Sequence, residues 1–238
     1  MSSDMNTMEK ANSPWEAFKI VITGVILGSI FGFHLYEVYE YMYGNELMLP
    51  ITWCLFACYL SSFHLLEFFV TAIYHPETLS FDSYLVNHSI PYCTAILLAI
   101  SEFWIEYYFW PNLKTLDTFA TIGNWITCIG EAIRFIGQCT LGNNFTHIIR
   151  TIKLSEHHLV QNGIYKFLRH PSYTGWYYFV VGSQILLKNC ICIPLYIVVA
   201  WWFFKERIPY EEYYLESFFP TQYADYKKHT YVLIPGIH

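Results

Sequence analysis

Charge is scarce in this sequence. Only 13% of its 238 residues are Asp, Glu, Lys or Arg, against 55% apolar residues, whereas soluble domains carry about 25% charged residues. Half of an ordinary polar coat is missing, which excludes a conventional soluble surface. Positive charge is scarcer still: 13 Lys and Arg stand against 19 Asp and Glu, for a net charge of −6. With no basic patch, that balance excludes nucleic acid as a partner. A basic cap before a short apolar core is also missing, since the first fourteen residues are polar and include Asp4 and Glu9. A cleaved signal peptide is therefore not expected. Nor is a prenyl anchor on this chain, because Ile234-Pro-Gly-Ile-His238 contains no cysteine.

Metal-binding patterns are lacking too. The seven cysteines lie mostly inside apolar stretches and read as small core residues rather than a disulfide framework. Cys190-Ile-Cys192 has no second pair to complete a four-ligand zinc site. His157, His158 and His170 show no ligand spacing, and adjacent histidines project in different directions. No metal is expected.

Long apolar runs are abundant. Six segments can cross a hydrocarbon core of about 30 Å: 17–36, 47–73, 91–110, 119–141, 172–187 and 190–204. The last two are short, are separated only by Lys188 and Asn189, and read as a helical hairpin whose second arm begins at Pro194. The fold class is an all-α, polytopic integral membrane bundle. Residues 1–141 form its N-terminal transmembrane part and residues 142–238 its chemistry-bearing part. Charges inside the spans need interior partners. Glu131 and Arg134 are three apart on one helical face and are expected to pair with each other. Glu102 and Glu106 lie near a span end, where headgroup-level solvation suffices.

Basic residues set the orientation. With the N-terminus in the cytosol, Lys10, Lys19, Arg150, Lys153, Lys166, Arg169, Lys205, Arg207, Lys227 and Lys228 all fall on the cytosolic side, and only Lys114 and Lys188 fall opposite. The sequons at Asn87 and Asn144 are then cytosolic and stay unmodified. The same orientation places loop 142–171 and tail 205–238 together.

These two stretches hold the chemistry. The first reads Asn144-Phe-Thr-His147, Arg150, His157-His-Leu-Val160, Gly163-Ile-Tyr165 and Arg169-His-Pro-Ser-Tyr-Thr-Gly175. Pro171 sits where a helix would start, and a helix N-terminus favours a carboxylate. A basic loop touching anionic headgroups fits the composition equally well. The second reads Lys205-Glu-Arg207-Ile-Pro-Tyr-Glu211-Glu212 and continues through Phe218-Phe219, Tyr223, Tyr226 and Ile234-Pro235. On a helix, Arg207 and Glu211 share a face while Glu212 points about 100° away. Such a pair is often only a surface ion pair of little energy. Its place directly after a span, among aromatics whose faces suit a sulfonium or ammonium cation, argues for more.

From Asn144 to Ile237, about 40% of the chain, these motifs in this order resemble the isoprenylcysteine carboxyl methyltransferase family. The elements are NFTH at 144–147, HLV at 158–160, GIY at 163–165, RHPSYTGW at 169–176, the Glu-Arg pair at 206–207, EE at 211–212, and FF…Y…Y…IP from 218 to 235. RHP-x-Y-x-G alone is less specific, being similar to strings in membrane phospholipid methyltransferases and sterol reductases. The resemblance implies S-adenosylmethionine as cofactor, held by Arg150, His157, His158, Leu159, Val160, Tyr165, His170, Pro171, Ser172, Tyr173 and Glu211. It implies that Arg207 faces the substrate carboxylate, with Arg207 and Glu211 the catalytic pair. The implied partners are the farnesylated or geranylgeranylated C-terminal cysteine of CaaX proteins and membrane lipid, at the endoplasmic reticulum with the active site facing the cytosol.

The residues fit that chemistry. A carboxylate is ionised at neutral pH, so its methylation needs no general base, and no nucleophile–base pair is evident. Two other readings stay open: a phospholipid N-methyltransferase or sterol reductase of the same superfamily, and a non-enzymatic transporter or scaffold using these charges structurally.

Overall fold

Small polar caps and prolines start the helices. Ser13 accepts from the Glu16 amide before Pro14, Ser89 from the Tyr92 amide before Ile90-Pro91, and Asp117 from the Ala120 amide, satisfying donors that a first turn leaves open. The computed structural model describes residues 13–153 and 158–238. Its helices are α1 (Pro14–Met42), α2 (Ile51–Tyr74), α3 (Ile90–Phe109), α4 (Thr118–Leu141), α5 (Pro171–Leu187), α6 (Cys192–Phe218) and α7 (Pro220–His229). Among the described residues the only β-pairing is an isolated bridge from Leu168 to Tyr231. The first two helices are long and apolar enough to cross a membrane by length and composition alone.

Several boundaries differ from the sequence reading: α1 runs from Pro14 to Met42 rather than over 17–36, and the second arm of the hairpin begins at Cys192 rather than Pro194. Helix α2 starts at Ile51 rather than residue 47 because Pro50, with extended ψ of 134°, serves as its N-cap. The last long helix does not stop at Phe204. It runs through Pro209 to Phe218, so Arg207, Glu211 and Glu212 ride on a rigid extension of α6 rather than on a tail. Proline removes one ladder hydrogen bond, and here the helix carries on past it.

Helices α4 and α5 touch backbone to backbone. A Cβ on Gly130 would stand 2.5 Å from the Phe179 nitrogen, and one on Gly175 would collide with the Arg134 amide. Only glycine permits that approach, the usual device where two membrane helices pack closely. It fixes the start of α5 beside Arg134. A core of Phe63, Phe179, Phe204, Ile208, Val232 and Ile234 then joins α2, α5, α6 and the C-terminal segment.

The connections sort into two ends. At one, Glu16 accepts from the Phe81 amide at 2.7 Å, and the Tyr74 ring lies under Gly142. At the other, Thr52 donates to the Lys114 carbonyl at 3.0 Å. There the buried Lys114 ammonium donates to Glu106 (2.5 Å), the Leu187 and Lys188 carbonyls (2.9 and 3.0 Å) and Asn189 Oδ1 (3.0 Å). Glu102 accepts from the Ile191 and Cys192 amides, capping α6. The glutamates read as solvated at headgroup level are instead fully engaged, because the α5–α6 turn folds over them.

Arg134 does not pair with Glu131. Its Nε donates to Glu67 of α2 at 2.5 Å, while Glu131 accepts from the Ser62 hydroxyl at 2.7 Å. Sequence spacing made the two neighbours on one helix, but each found a better-directed partner across the bundle.

Candidate active site

Residues 142–153 and 158–170, the start of α5, the far end of α6 and α7 enclose a cavity of about 150 Å³. Nine of the residues expected at a cofactor line it: Arg150, His158, Leu159, Val160, Tyr165, His170, Ser172, Tyr173 and Glu211. Pro171 forms the first turn of α5 behind this wall. His157 lies outside the described residues. Arg207 is not part of the lining. Its guanidinium lies over the Tyr173 ring, 5.3 Å from the centroid, and Tyr173 is itself part of the lining.

The wall is held by a clasp that the sequence did not reveal. Glu212, set aside as pointing away from Arg207, is buried and gathers three cations or donors. Arg169 Nε donates to it at 2.6 Å, His170 Nε2 at 3.1 Å, and Lys227 Nζ of α7 at 2.6 Å. Burial alone would raise its carboxyl, but the hydrogen bonds from His170, Lys227 and Arg169 outweigh it and hold the group below the usual carboxylate range. Arg169 also donates to the Thr230 carbonyl at 2.9 Å. Tyr226 donates to the Tyr165 carbonyl at 2.8 Å, and around the bridge at Leu168 the Arg169 amide donates to the Tyr231 carbonyl at 3.1 Å and the Tyr231 amide to the Phe167 carbonyl at 2.9 Å. Loop and tail are therefore one clasped unit. The visible signal was the doubled EE at 211–212, whose two faces serve two purposes. Glu212 closes the clasp while Glu211 looks into the cavity.

Four polar side-chain atoms of the cavity wall are buried without a hydrogen-bond partner among the described residues: the Ser172 and Tyr223 hydroxyls, Arg150 Nε, a donor, and Glu211 Oε2, an acceptor. His170 Nδ1 stands 3.7 Å from the last of these, beyond a good hydrogen bond. An orphaned donor and an orphaned acceptor in one cavity are costly unless something polar completes them. A zwitterionic amino-acid group, with a carboxylate for Arg150 and an ammonium for Glu211, completes both. Its surroundings are aromatic: Tyr165, Tyr173, Tyr214, Tyr223 and Tyr226, and the His170 ring stacks on Tyr173 at 5.5 Å. Asn144 reaches His158 at 3.2 Å, which ties the NFTH motif to the HLV motif.

Arg207 is held on two sides. Its Nε donates to the Tyr173 hydroxyl at 2.9 Å and its Nη2 to the His147 carbonyl at 2.6 Å. The guanidinium thus lies next to the cavity with its orientation fixed by a residue from α5 and one from the loop.

Known proteins resemble this arrangement closely. A profile of the isoprenylcysteine carboxyl methyltransferase family matches residues 123–217, covering α4, the cavity loop and most of α6. The chain is 41% identical to the protein-S-isoprenylcysteine O-methyltransferase of Tribolium castaneum, over 93% of this chain and 77% of that one. It is 36% identical to the Saccharomyces cerevisiae protein of the same name, over 92% and 91%. Among solved structures it resembles a eukaryotic intramembrane Ras methyltransferase, with a TM-score of 0.85 and 38% identity, covering 94% of this chain and 79% of that chain.

Proposed function

The chain belongs to the isoprenylcysteine carboxyl methyltransferase family, and from that premise we propose that it esterifies the C-terminal isoprenylcysteine carboxylate of prenylated CaaX proteins, with S-adenosylmethionine as methyl donor. It is an all-helical integral membrane methyltransferase. The observation that carries the cofactor reading is the orphaned pair in the cavity wall, Arg150 Nε and Glu211 Oε2, which matches the charges of the donor's amino-acid end. When bound, S-adenosylmethionine supplies a methyl group on a sulfonium. Arg150, His158, Leu159, Val160, Tyr165, His170, Ser172, Tyr173 and Glu211 form its cradle, with Pro171 setting the turn beneath and His157 assigned by motif position.

The remaining work belongs to residues of this chain. Arg207 faces the acceptor carboxylate and orients it, an arrangement for which a planar guanidinium is better suited than an ammonium. Its existing bonds to Tyr173 and to the His147 carbonyl fix the direction in which it can present a further N–H. An orienting contact serves better than full neutralisation, because the carboxylate is the nucleophile. The aromatic wall keeps bulk water from the sulfonium side and offers ring faces to a cation. No general base is required, since a terminal carboxylate is ionised far below pH 7. The prenyl tail stays in lipid and contributes about 0.8 kcal/mol per buried CH₂. Residues 1–141 serve as the membrane part and 142–238 as the catalytic part, with the site on the cytosolic face of the endoplasmic reticulum membrane.

Arg207→Ala tests the assignment. Esterification of a prenylcysteine acceptor should fall by about 10³-fold, the scale of losing a preorganised charge contact. Binding of labelled S-adenosylmethionine should remain measurable. Unchanged turnover would remove Arg207 from the site.

A further inference from the structure

Arg207 depends on a carbonyl, and that carbonyl belongs to a residue whose side chain points the other way. His147 does not line the cavity, although its neighbours Thr146 and Ile148 do. Its ring packs edge-on against Phe145 at 4.9 Å and places Nε2 3.5 Å from Oε2 of Glu67. Glu67 sits on α2, in the N-terminal part of the chain, and is 2% exposed. It is the centre of a buried polar node. Arg134 Nε donates to its Oε1 at 2.5 Å, and Gln138 Nε2 reaches both oxygens at 2.9 and 3.0 Å.

The node has two arms. One runs through Arg134, whose Nη1 donates to the Ser172 carbonyl at 3.3 Å, in the first turn of α5 and thus on the cavity wall. The other runs through His147 to Arg207. Burial pushes the His147 imidazole down to about 4, so the ring that stands beside the carboxylate is neutral at pH 7. A buried carboxylate is rigidly placed by its other donors, and a residue tethered to it inherits that placement.

We infer that Glu67 and His147 are positioning residues for Arg207: α2 fixes the His147 ring, and the His147 carbonyl aims the guanidinium at the acceptor carboxylate. This rests on the reading of Arg207 as the acceptor-facing residue. It gives the N-terminal helices a part in acceptor binding, in addition to holding the bundle in the membrane. It also explains why the loop residue has a polar side chain turned away from the cavity it borders.

The arms allow a clean test, because substituting Glu67 or Arg134 disturbs both while substituting His147 disturbs one. His147→Phe keeps the backbone carbonyl and an aromatic ring against Phe145 but removes the ring nitrogen that faces Glu67. His147→Gln restores a polar group of similar reach. In membranes carrying the full chain, with N-acetyl-S-farnesylcysteine as acceptor, His147→Phe should raise the acceptor KM or lower kcat by about tenfold in combined effect, as expected for loss of a polar contact to a buried carboxylate. Affinity for labelled S-adenosylmethionine should stay within twofold, and His147→Gln should recover at least half of the loss. Unchanged acceptor kinetics in His147→Phe would overturn the inference. So would a parallel loss of cofactor affinity, or a Gln variant no better than Phe, since both signal general loosening. Arg207→Ala, run alongside, separates the two levels: if it leaves esterification intact, the reading of Arg207 fails, whereas if it abolishes esterification while His147→Phe changes nothing, only the positioning role fails.

Discussion

The two ends of this bundle each bury a network of charge, and the networks differ in one respect. At the end away from the cavity, Lys114 is surrounded by Glu106, Asn189 and two carbonyls, and Glu102 caps α6. No side-chain atom of that knot is orphaned among the described residues. At the cavity end, Glu212 is equally well supplied, yet Arg150 Nε and Glu211 Oε2 beside it lack partners. A closed network holds a structure, and an open one waits for a ligand. Burial and charge alone do not distinguish the two ends. The unmet valences do.

Perturbing each end should therefore have opposite signatures. The largest effect is expected at the closed end. Lys114→Met strands Glu106 and Asn189, and removing one partner from a buried ionic network costs about 3–5 kcal/mol. The thermal midpoint in detergent or nanodiscs should drop markedly while KM values of the surviving enzyme stay unchanged. A shift in cofactor KM would break the contrast. At the open end, Glu211→Gln should weaken S-adenosylmethionine binding by about tenfold, equivalent to about 1.4 kcal/mol, with little loss of thermal stability. Unaltered affinity would count against its role.

The smallest effect concerns pH. The Glu212 carboxyl is depressed by its donors, so its contribution is present above the unfolded value of about 4.3 and is lost only as pH falls through the lower folded value. The clasp should thus hold as pH is lowered from 7 to about 5, with cofactor affinity tracked by equilibrium binding. A decline centred between pH 5 and 6 would mean that another group closes it.

Much of this was legible in the sequence for reasons that can be named. Apolar runs set the long helices because span length and hydropathy act locally. The distribution of basic residues brought loop and tail together, and nine of the residues that the motif order pointed to share one cavity wall. What stayed hidden depended on partners distant in the chain. Arg134 chose Glu67, 67 residues away, over Glu131 on its own helix. Glu212 was dismissed by helical-wheel geometry measured against Arg207, when its partners were Arg169, His170 and Lys227. The sixth span was ended at residue 204, yet α6 runs on through Pro209 to Phe218. Periodicity reports which way a side chain points, and only the packed bundle shows what it meets.

The open end of the bundle is proposed as a methyl-transfer site for a lipid-borne carboxylate. Membranes containing this chain, given methyl-labelled S-adenosylmethionine together with N-acetyl-S-farnesylcysteine and phosphatidylethanolamine, test it in one assay. Label is expected in a base-labile ester of the farnesylcysteine. Label in the phospholipid amine instead, or in neither acceptor, would contradict it.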